Sequence, residues 1–337
     1  MQTPQYVVTT TPHIRAASSI EKTMLLVLVA LSPASVLGVV FFGLRALIII
    51  LISISSAVLA EYIYQKITKK QVRIMDGSAA VPGLLLGLIM PPAIPFWMPV
   101  VGAFAAIIIV KQIFGGLGHN FLNPALAGRA ILVAAYALPM TTGFYEPFGP
   151  FINISSVDIV TTATPLKSAY LQPVSYDFIN AALGNVSGSI GETSAIALFL
   201  GGVFLLYKKI ITWHIPVSFI GTVFIFAFIL APIDIALYHV LTGGLLLGAF
   251  FMATDYPTSP ITPSGKILFG IGCGVITVVI RFFGGYPEGV AYSILLMNLT
   301  VPLIDRFIRP RVFGCKSIFY LSTEYFLEKF RKGRKTI

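Results

Sequence analysis

The sequence predicts an all-α integral membrane protein with about ten transmembrane helices in two five-helix inverted repeats. Three observations lead to this prediction: the apolar composition, the spacing of the apolar runs, and the recurrence of the same short motifs in each half. Of the 337 residues, 56% are hydrophobic and only 11% are charged, with a mean hydropathy of +0.89. Soluble domains usually carry about 25% charged residues. Because lipid offers no partner to an unpaired backbone group, the crossing segments should be helical.

Ten apolar runs follow one another along the chain, and crossing the hydrocarbon core takes about 20 such residues. The expected spans are 23–42, 44–63, 78–94, 96–112, 122–138, 194–208, 214–231, 236–253, 265–283 and 288–307. The chain then divides into a cytoplasmic N-terminus (1–22), a first repeat (23–138), a long loop (139–193), a second repeat (194–307) and a basic cytoplasmic tail (308–337).

An internal repeat is indicated by motifs that recur in the same order. GLLLG stands at 83–87 and at 244–248, and FGG follows at 114–116 and at 283–285. A proline-rich break comes after each GLLLG, as PPAIP and as DYPTSPITP. Five spans is an odd number, so the second half should enter the membrane from the opposite face. Interrupted helices at matching places then point to the functional centre, although Gly/Leu runs also recur by chance in membrane proteins.

The distribution of Lys and Arg predicts the orientation. With the N-terminus inside, 19 of the 23 basic residues fall on the cytoplasmic side, three fall outside and one lies within a span. Basic residues crowd cytoplasmic loops, so both termini should be cytoplasmic and the loop 139–193 should face outward. The net charge of +10 is explained in the same way, and we expect no nucleic-acid partner.

The outward loop holds the sequence VDIVTTATPL at 157–166, in which Asp158, Thr161, Ala163 and Thr164 form the spacing Asp-x-x-Thr-x-Ala-Thr. A threonine-rich loop is by itself usually a turn or short strand, because the hydroxyls bond to nearby backbone. A loop of this length usually carries function.

This spacing resembles the flavinylation signal Asp-x-x-Ser/Thr-Gly-Ala-Thr, and the chain as a whole resembles the NqrB/RnfD family of membrane subunits, with the RnfD branch the better fit. The similar stretches span nearly the whole chain. They are TPHIR at 11–15, FLNPALAGRAIL at 121–132, ATPL at 163–166, TSPITPSG at 258–265 and RFFGGYPEGVAYSILLMNLTVPLIDRF at 281–307.

The resemblance implies that a flavin transferase esterifies FMN to Thr164 and recognises Asp158 and Thr161, with Ala163 completing the signal. Position 162 is Thr where the family usually has Gly, which puts the rate of modification and the local backbone in doubt. Lys167 would help neutralise the FMN phosphate; the alternative is an ordinary solvated lysine.

Two further candidate site residues are Arg129, within a span, and Asp255, near the cytoplasmic end of the span 236–253. A central arginine costs roughly 2.5–3.5 kcal/mol on insertion scales, so Arg129 should meet a flavin, another subunit or a wet cavity, unless it reaches the membrane interface. Asp255 would serve an ion path or a second, noncovalent flavin such as riboflavin; the alternative is a simple end charge. Asn123 should cap the helix that Pro124 begins.

As a whole, the resemblance implies a subunit of an ion-translocating ferredoxin:NAD⁺ oxidoreductase complex in a prokaryotic cell membrane, inactive alone. Electrons would pass through the covalent FMN to or from a second covalent flavin on a neighbouring subunit, coupled to export of Na⁺ or H⁺. The other partners would be the remaining subunits, the transferase and membrane lipid. The chain has no nucleotide-binding motif and no cysteine cluster for an iron–sulfur centre. The alternative function is a cofactor-free inverted-repeat channel or secondary transporter.

Overall fold

The computed structural model describes residues 19–144, 147, 178–192, 194–284 and 289–308. Within these ranges every regular element is a helix and there is no strand, which confirms the all-α fold class. The sequence 157–166, Lys167 and the basic tail lie outside the described residues.

Helix α1 (Ile20–Ile67) is long enough for two crossings and is broken at one residue. Ser19 caps its start by accepting a hydrogen bond from the Lys22 N–H. Its 48 residues correspond to roughly 72 Å at about 1.5 Å per residue, more than twice the ~30 Å hydrocarbon core. Gly43 interrupts it with φ 74° and ψ −163°, a conformation that glycine adopts without a Cβ clash. The break lies between the first two expected spans.

Both GLLLG sequences lie in short helices that end at a break. The first lies in α2 (Ala80–Leu88); after the proline-rich residues 89–96 the chain continues as α3 (Trp97–Phe104) and the π-helix π1 (Ala105–Gln112). Most of the second lies in α10 (Leu245–Leu247), which continues as π2 (Gly248–Met252). The preceding α9 (Ile233–Leu241) meets this pair at 58°. Gly243 and Gly244 make the bend with φ of 71° and 70°.

The described residues do not establish ten continuous spans. By length and composition, three helices qualify as membrane-crossing: α1, α11 (Pro263–Phe283) and α12 (Gly289–Phe307), with the bent pair as a fourth. The expected span 78–94 contains only nine helical residues before Pro91 and Pro92 stop the helix. The remaining helices are α4 (Pro124–Ala135), α5 (Ala137–Thr142), α6 (Phe178–Leu183), α7 (Ala195–Tyr207) and α8 (His214–Leu230).

The two halves of the sequence contact each other where α1 packs on α7 and where α4 packs on α12. Inside the first half, α1 packs on α2 so closely that a Cβ at Gly83 would lie 2.8 Å from Ala57 Cβ and 2.9 Å from Ile54 Cα. Helices in lipid gain stability from such close backbone approach, because lipid removes most of the hydrophobic driving force between them. This close packing holds α2, and with it the start of the break that follows, against α1.

Candidate functional site

Asparagine side chains join the start of α4 in the first half to the end of π2 and to α12 in the second half. Asn123 Oδ1 accepts hydrogen bonds from Ala125 N (3.0 Å) and Leu126 N (3.3 Å), and Pro124 is the first helical residue of α4. The predicted cap is therefore confirmed. Asn123 Nδ2 also donates to the carbonyl oxygen of Met252 (3.1 Å), the last residue of π2. From α12, the Asn298 amide donates to the carbonyl of Thr258 (3.1 Å) and accepts from Asn123 N (3.2 Å).

Asp255 lies three residues after π2, at the edge of a cavity between the two halves. Its carboxylate accepts hydrogen bonds from Thr258 Oγ1 (3.2 Å) and from the Asn120 side chain. Burial raises the pKa of the Asp255 carboxyl to about 6. The cavity has a volume of about 90 Å³ and a mostly apolar wall. Its polar lining is limited to Thr23, Asn123, Thr254, Asp255 and Tyr256.

Arg129 has a protein partner in the interior. Its guanidinium Nη1 lies 3.3 Å from Oε1 of Glu192, and both side chains are more than nine-tenths buried. Glu192 also lies against the bend between α9 and α10, since a Cβ on Gly244 would overlap its carboxylate. A flavin or subunit contact of Arg129 stays a prediction, and the predicted flavin-loop residues Thr164, Asp158, Thr161, Ala163 and Lys167 lie outside the described residues.

A second buried ion pair joins α1, π1 and the approach to α2. Lys111 Nζ lies 3.0 Å from each carboxylate oxygen of Glu61 and 2.8 Å from Ser78 Oγ. Glu61 Oε1 accepts further hydrogen bonds from Gln112 Nε2 (2.6 Å) and Gln65 Nε2 (3.1 Å). The charge count treats Lys111 as one of the cytoplasmic basic residues; in the structure only 2% of the residue is exposed, so its charge is held by this ion pair and not by water.

Two arginines that the charge count places outside are also buried. Arg45 donates to the carbonyls of the break after α2, at 2.9 Å to Pro92 and 2.8 Å to Ile94. Arg281 donates to one carbonyl in the last turn of α9 and one just after it, at 2.6 Å to His239 and 2.8 Å to Gly243. These contacts satisfy carbonyl groups at the ends of interrupted helices. A charged residue inside an apolar run is the sequence signal that marks all of these positions.

Comparison of the sequence with known proteins places this chain in a family. A model described as the NQR2, RnfD, RnfE family matches residues 7–314, which is most of the chain. The chain belongs to this family. It is 46% identical over 316 residues to the D subunit of the Na(+)-translocating ferredoxin:NAD(+) oxidoreductase complex of Acetobacterium woodii, covering 92% of this chain and 96% of that relative.

Other members of the NQR2, RnfD, RnfE family are similar over the same extent. The D subunit of the proton-translocating ferredoxin:NAD(+) oxidoreductase complex of Clostridium ljungdahlii is 45% identical, with 92% and 97% of the two chains covered. The D subunit of the ion-translocating oxidoreductase complex of Halorhodospira halophila is 38% identical, with 90% and 94% covered.

In this member of the family, the described residues form two kinds of buried polar site within an apolar bundle. One is the Asp255 cavity, which is lined by groups from both halves. The others are filled by the protein itself, where Arg129, Lys111, Arg45 and Arg281 meet carboxylate or carbonyl oxygens. Ligand binding is therefore expected at the cavity, and fixed geometry at the ion pairs.

Proposed function

We propose that this chain is the membrane subunit of an ion-translocating ferredoxin:NAD⁺ oxidoreductase complex, and that it relays electrons through FMN bound covalently to Thr164. The observation that carries the proposal is the near full-length match to relatives that are named as the D subunits of such complexes. Those names specify sodium in one relative and protons in another, so either Na⁺ or H⁺ is compatible with export by this chain.

The loop sequence supplies the attachment chemistry that this proposal needs. A threonine hydroxyl can hold FMN as a phosphoester and leave the isoalloxazine ring free for redox work. In the proposal Asp158 and Thr161 are recognised by the flavin transferase, Ala163 completes the signal, and Lys167 neutralises part of the phosphate charge. The loop faces outward while both termini are cytoplasmic, and a second covalent flavin on a neighbouring subunit exchanges electrons with this one.

In this proposal the cavity beside Asp255 serves either an ion path or a second, noncovalent flavin. Small-molecule sites are mostly apolar with a few polar groups that fix orientation. The cavity has such a lining, with apolar walls from Val81, Leu85 and Phe251 and hydrogen-bonding groups at Asn123 and Asp255, but its volume of about 90 Å³ is well below the roughly 300–1,000 Å³ usual for such sites. A cation site would instead need several oxygen ligands close together.

Flavin fluorescence of the denatured chain tests the proposal. The complex is purified from cells that contain the transferase, and its subunits are separated on a denaturing gel. We expect a fluorescent band for the parent chain, no fluorescence for Thr164→Ala, and parental fluorescence for the matched control Thr142→Ala. A dark band for the parent would contradict the proposal and favour the cofactor-free channel or transporter.

A further inference from the structure

The C-terminal root of the outward loop enters the helical bundle before α7 begins. This loop root (residues 189–192) is non-helical and buried, and Ser189 and Ile190 are fully inaccessible. The helix that follows, α7, has 13 residues, or roughly 20 Å, which is shorter than the ~30 Å hydrocarbon core. Irregular backbone at membrane depth is tolerated only where protein or a wet cavity surrounds it.

Backbone contacts hold one side of the loop root against the first half. Ile190 N donates to the carbonyl of Met90 (3.1 Å) and Gly191 N to that of Leu88 (2.7 Å), at the end of α2. The approach to α1 is equally close, since a Cβ at Gly38 would overlap the Ile190 carbonyl oxygen. The loop root therefore lies in a slot that the first half provides.

Glu192 connects the same loop root to both halves. Its carboxylate pairs with Arg129 on α4 of the first half and lies against Gly244, at the bend of the broken helix that α9, α10 and π2 form in the second half. At the C-terminal end of that broken helix, the Met252 carbonyl accepts a hydrogen bond from Asn123 beside the Asp255 cavity. The ion pair thus lies where the loop, α4 and the broken helix meet.

We propose that Arg129 and Glu192 are positioning residues, whose ion pair anchors the outward loop to the junction of the two halves. Removing one partner of a buried ion pair leaves an uncompensated charge in the interior. With Arg129 replaced, withdrawal of the loop root carries the Glu192 carboxylate to water; with Glu192 replaced, the same withdrawal admits water to the Arg129 guanidinium. The spans themselves remain folded. The anchoring stands without a flavin; only its consequence for the position of Thr164 rests on the proposed function.

Thiol accessibility measures the anchoring directly. Ser189→Cys is introduced together with Cys273→Ala and Cys315→Ser. Because Ser189 Oγ makes no hydrogen bond within the described residues, the substitution removes none. Maleimide labelling of the full chain is followed in detergent, where membrane orientation does not matter. Asn185→Cys, which is exposed, is the positive control. We expect slow labelling of Cys at 189 in the parent, and labelling at least tenfold faster with Arg129→Gln or Glu192→Gln.

The conservative variant Arg129→Lys keeps the charge and should restore slow labelling, which a loss of packing alone would not explain. Gel filtration checks that each variant is folded. Should the glutamine variants not fold, Glu192→Asp, which keeps both charges but shortens the reach, should give intermediate labelling. Unchanged labelling in every folded variant would overturn the anchoring. In-gel flavin fluorescence of the same samples reports separately on the proposed function.

Discussion

Replacing Glu61 by glutamine should destabilise the protein strongly, although the side-chain shape is almost unchanged. The carboxylate accepts two hydrogen bonds from Lys111 and one each from Gln112 and Gln65. With Glu61→Gln, the buried Lys111 ammonium keeps Ser78 Oγ at 2.8 Å but loses its counter-charge. Breaking a buried ion pair in this way costs about 3–5 kcal/mol.

A double-mutant cycle separates the contribution of the charges to this loss of unfolding free energy from the contribution of packing. Lys111→Met should cost less than Glu61→Gln, because two amide donors remain on the carboxylate. The double variant removes both charges, so its cost should fall below the sum of the single costs by about 1–3 kcal/mol. Such a coupling would identify the ion pair, and not the shape of the site, as the source of the loss.

The free energy of unfolding in mixed micelles, measured by SDS titration, is the assay. A loss of about 3 kcal/mol corresponds to roughly a hundredfold change in the folding equilibrium, at about 1.4 kcal/mol per tenfold. The matched control is Lys66→Met, an exposed lysine near the end of the same helix, which should stay within about 0.5 kcal/mol. A Glu61→Gln effect as small as this control, or additive single effects, would refute the reasoning.

Three further predictions concern packing, titration and modification. Gly83→Ala should cost about 1–3 kcal/mol of unfolding free energy, since its Cβ would overlap α1. Gly221→Ala, where a Cβ meets open space, should instead gain up to about 1 kcal/mol, and equal effects of the two variants would contradict the close packing. Because burial raises the pKa of the Asp255 carboxyl to about 6, ion-coupled turnover that needs the carboxylate should fall as the pH drops through that value. Asp255→Asn should lower this turnover at every pH and leave no step near that value; a parental pH step in the variant would belong to another group. Asp158→Ala should lower flavin loading while Thr162→Gly raises it, measured by gel fluorescence at equal protein; parental loading in both would count against recognition of the signal.

The parts of the fold that depend on residues close together in the chain could be predicted from the sequence. The helical class follows from the apolar runs, and Asn123 before Pro124 predicts a helix start that the structure has. The proline pair in 89–96 indicates a break, yet 78–94 is predicted as a span, because apolar content alone does not distinguish a half-helix from a crossing. The nine-residue α2 ends just before Pro91 and Pro92, so proline stops this helix even in apolar surroundings.

The ion pairs could not be predicted because they join distant parts of the chain. Lys111 and Glu61 are 50 residues apart, and Arg129 and Glu192 are 63 apart. A charge in an apolar run indicates that a partner exists but not which residue it is. Taking the buried Lys111 from the nineteen inward cations leaves eighteen, and taking the buried Arg45 and Arg281 from the three outward ones leaves one. The orientation prediction therefore does not depend on the buried residues.

The attachment of FMN to Thr164 is the central claim, and mass spectrometry of one peptide tests it most directly. Trypsin cleavage after Arg129 and Lys167 releases residues 130–167, which include the whole signal. From the assembled complex we expect this peptide to carry the mass of FMN less one water, with fragment ions that locate the addition at Thr164. An unmodified peptide from cells that contain the transferase would contradict the account.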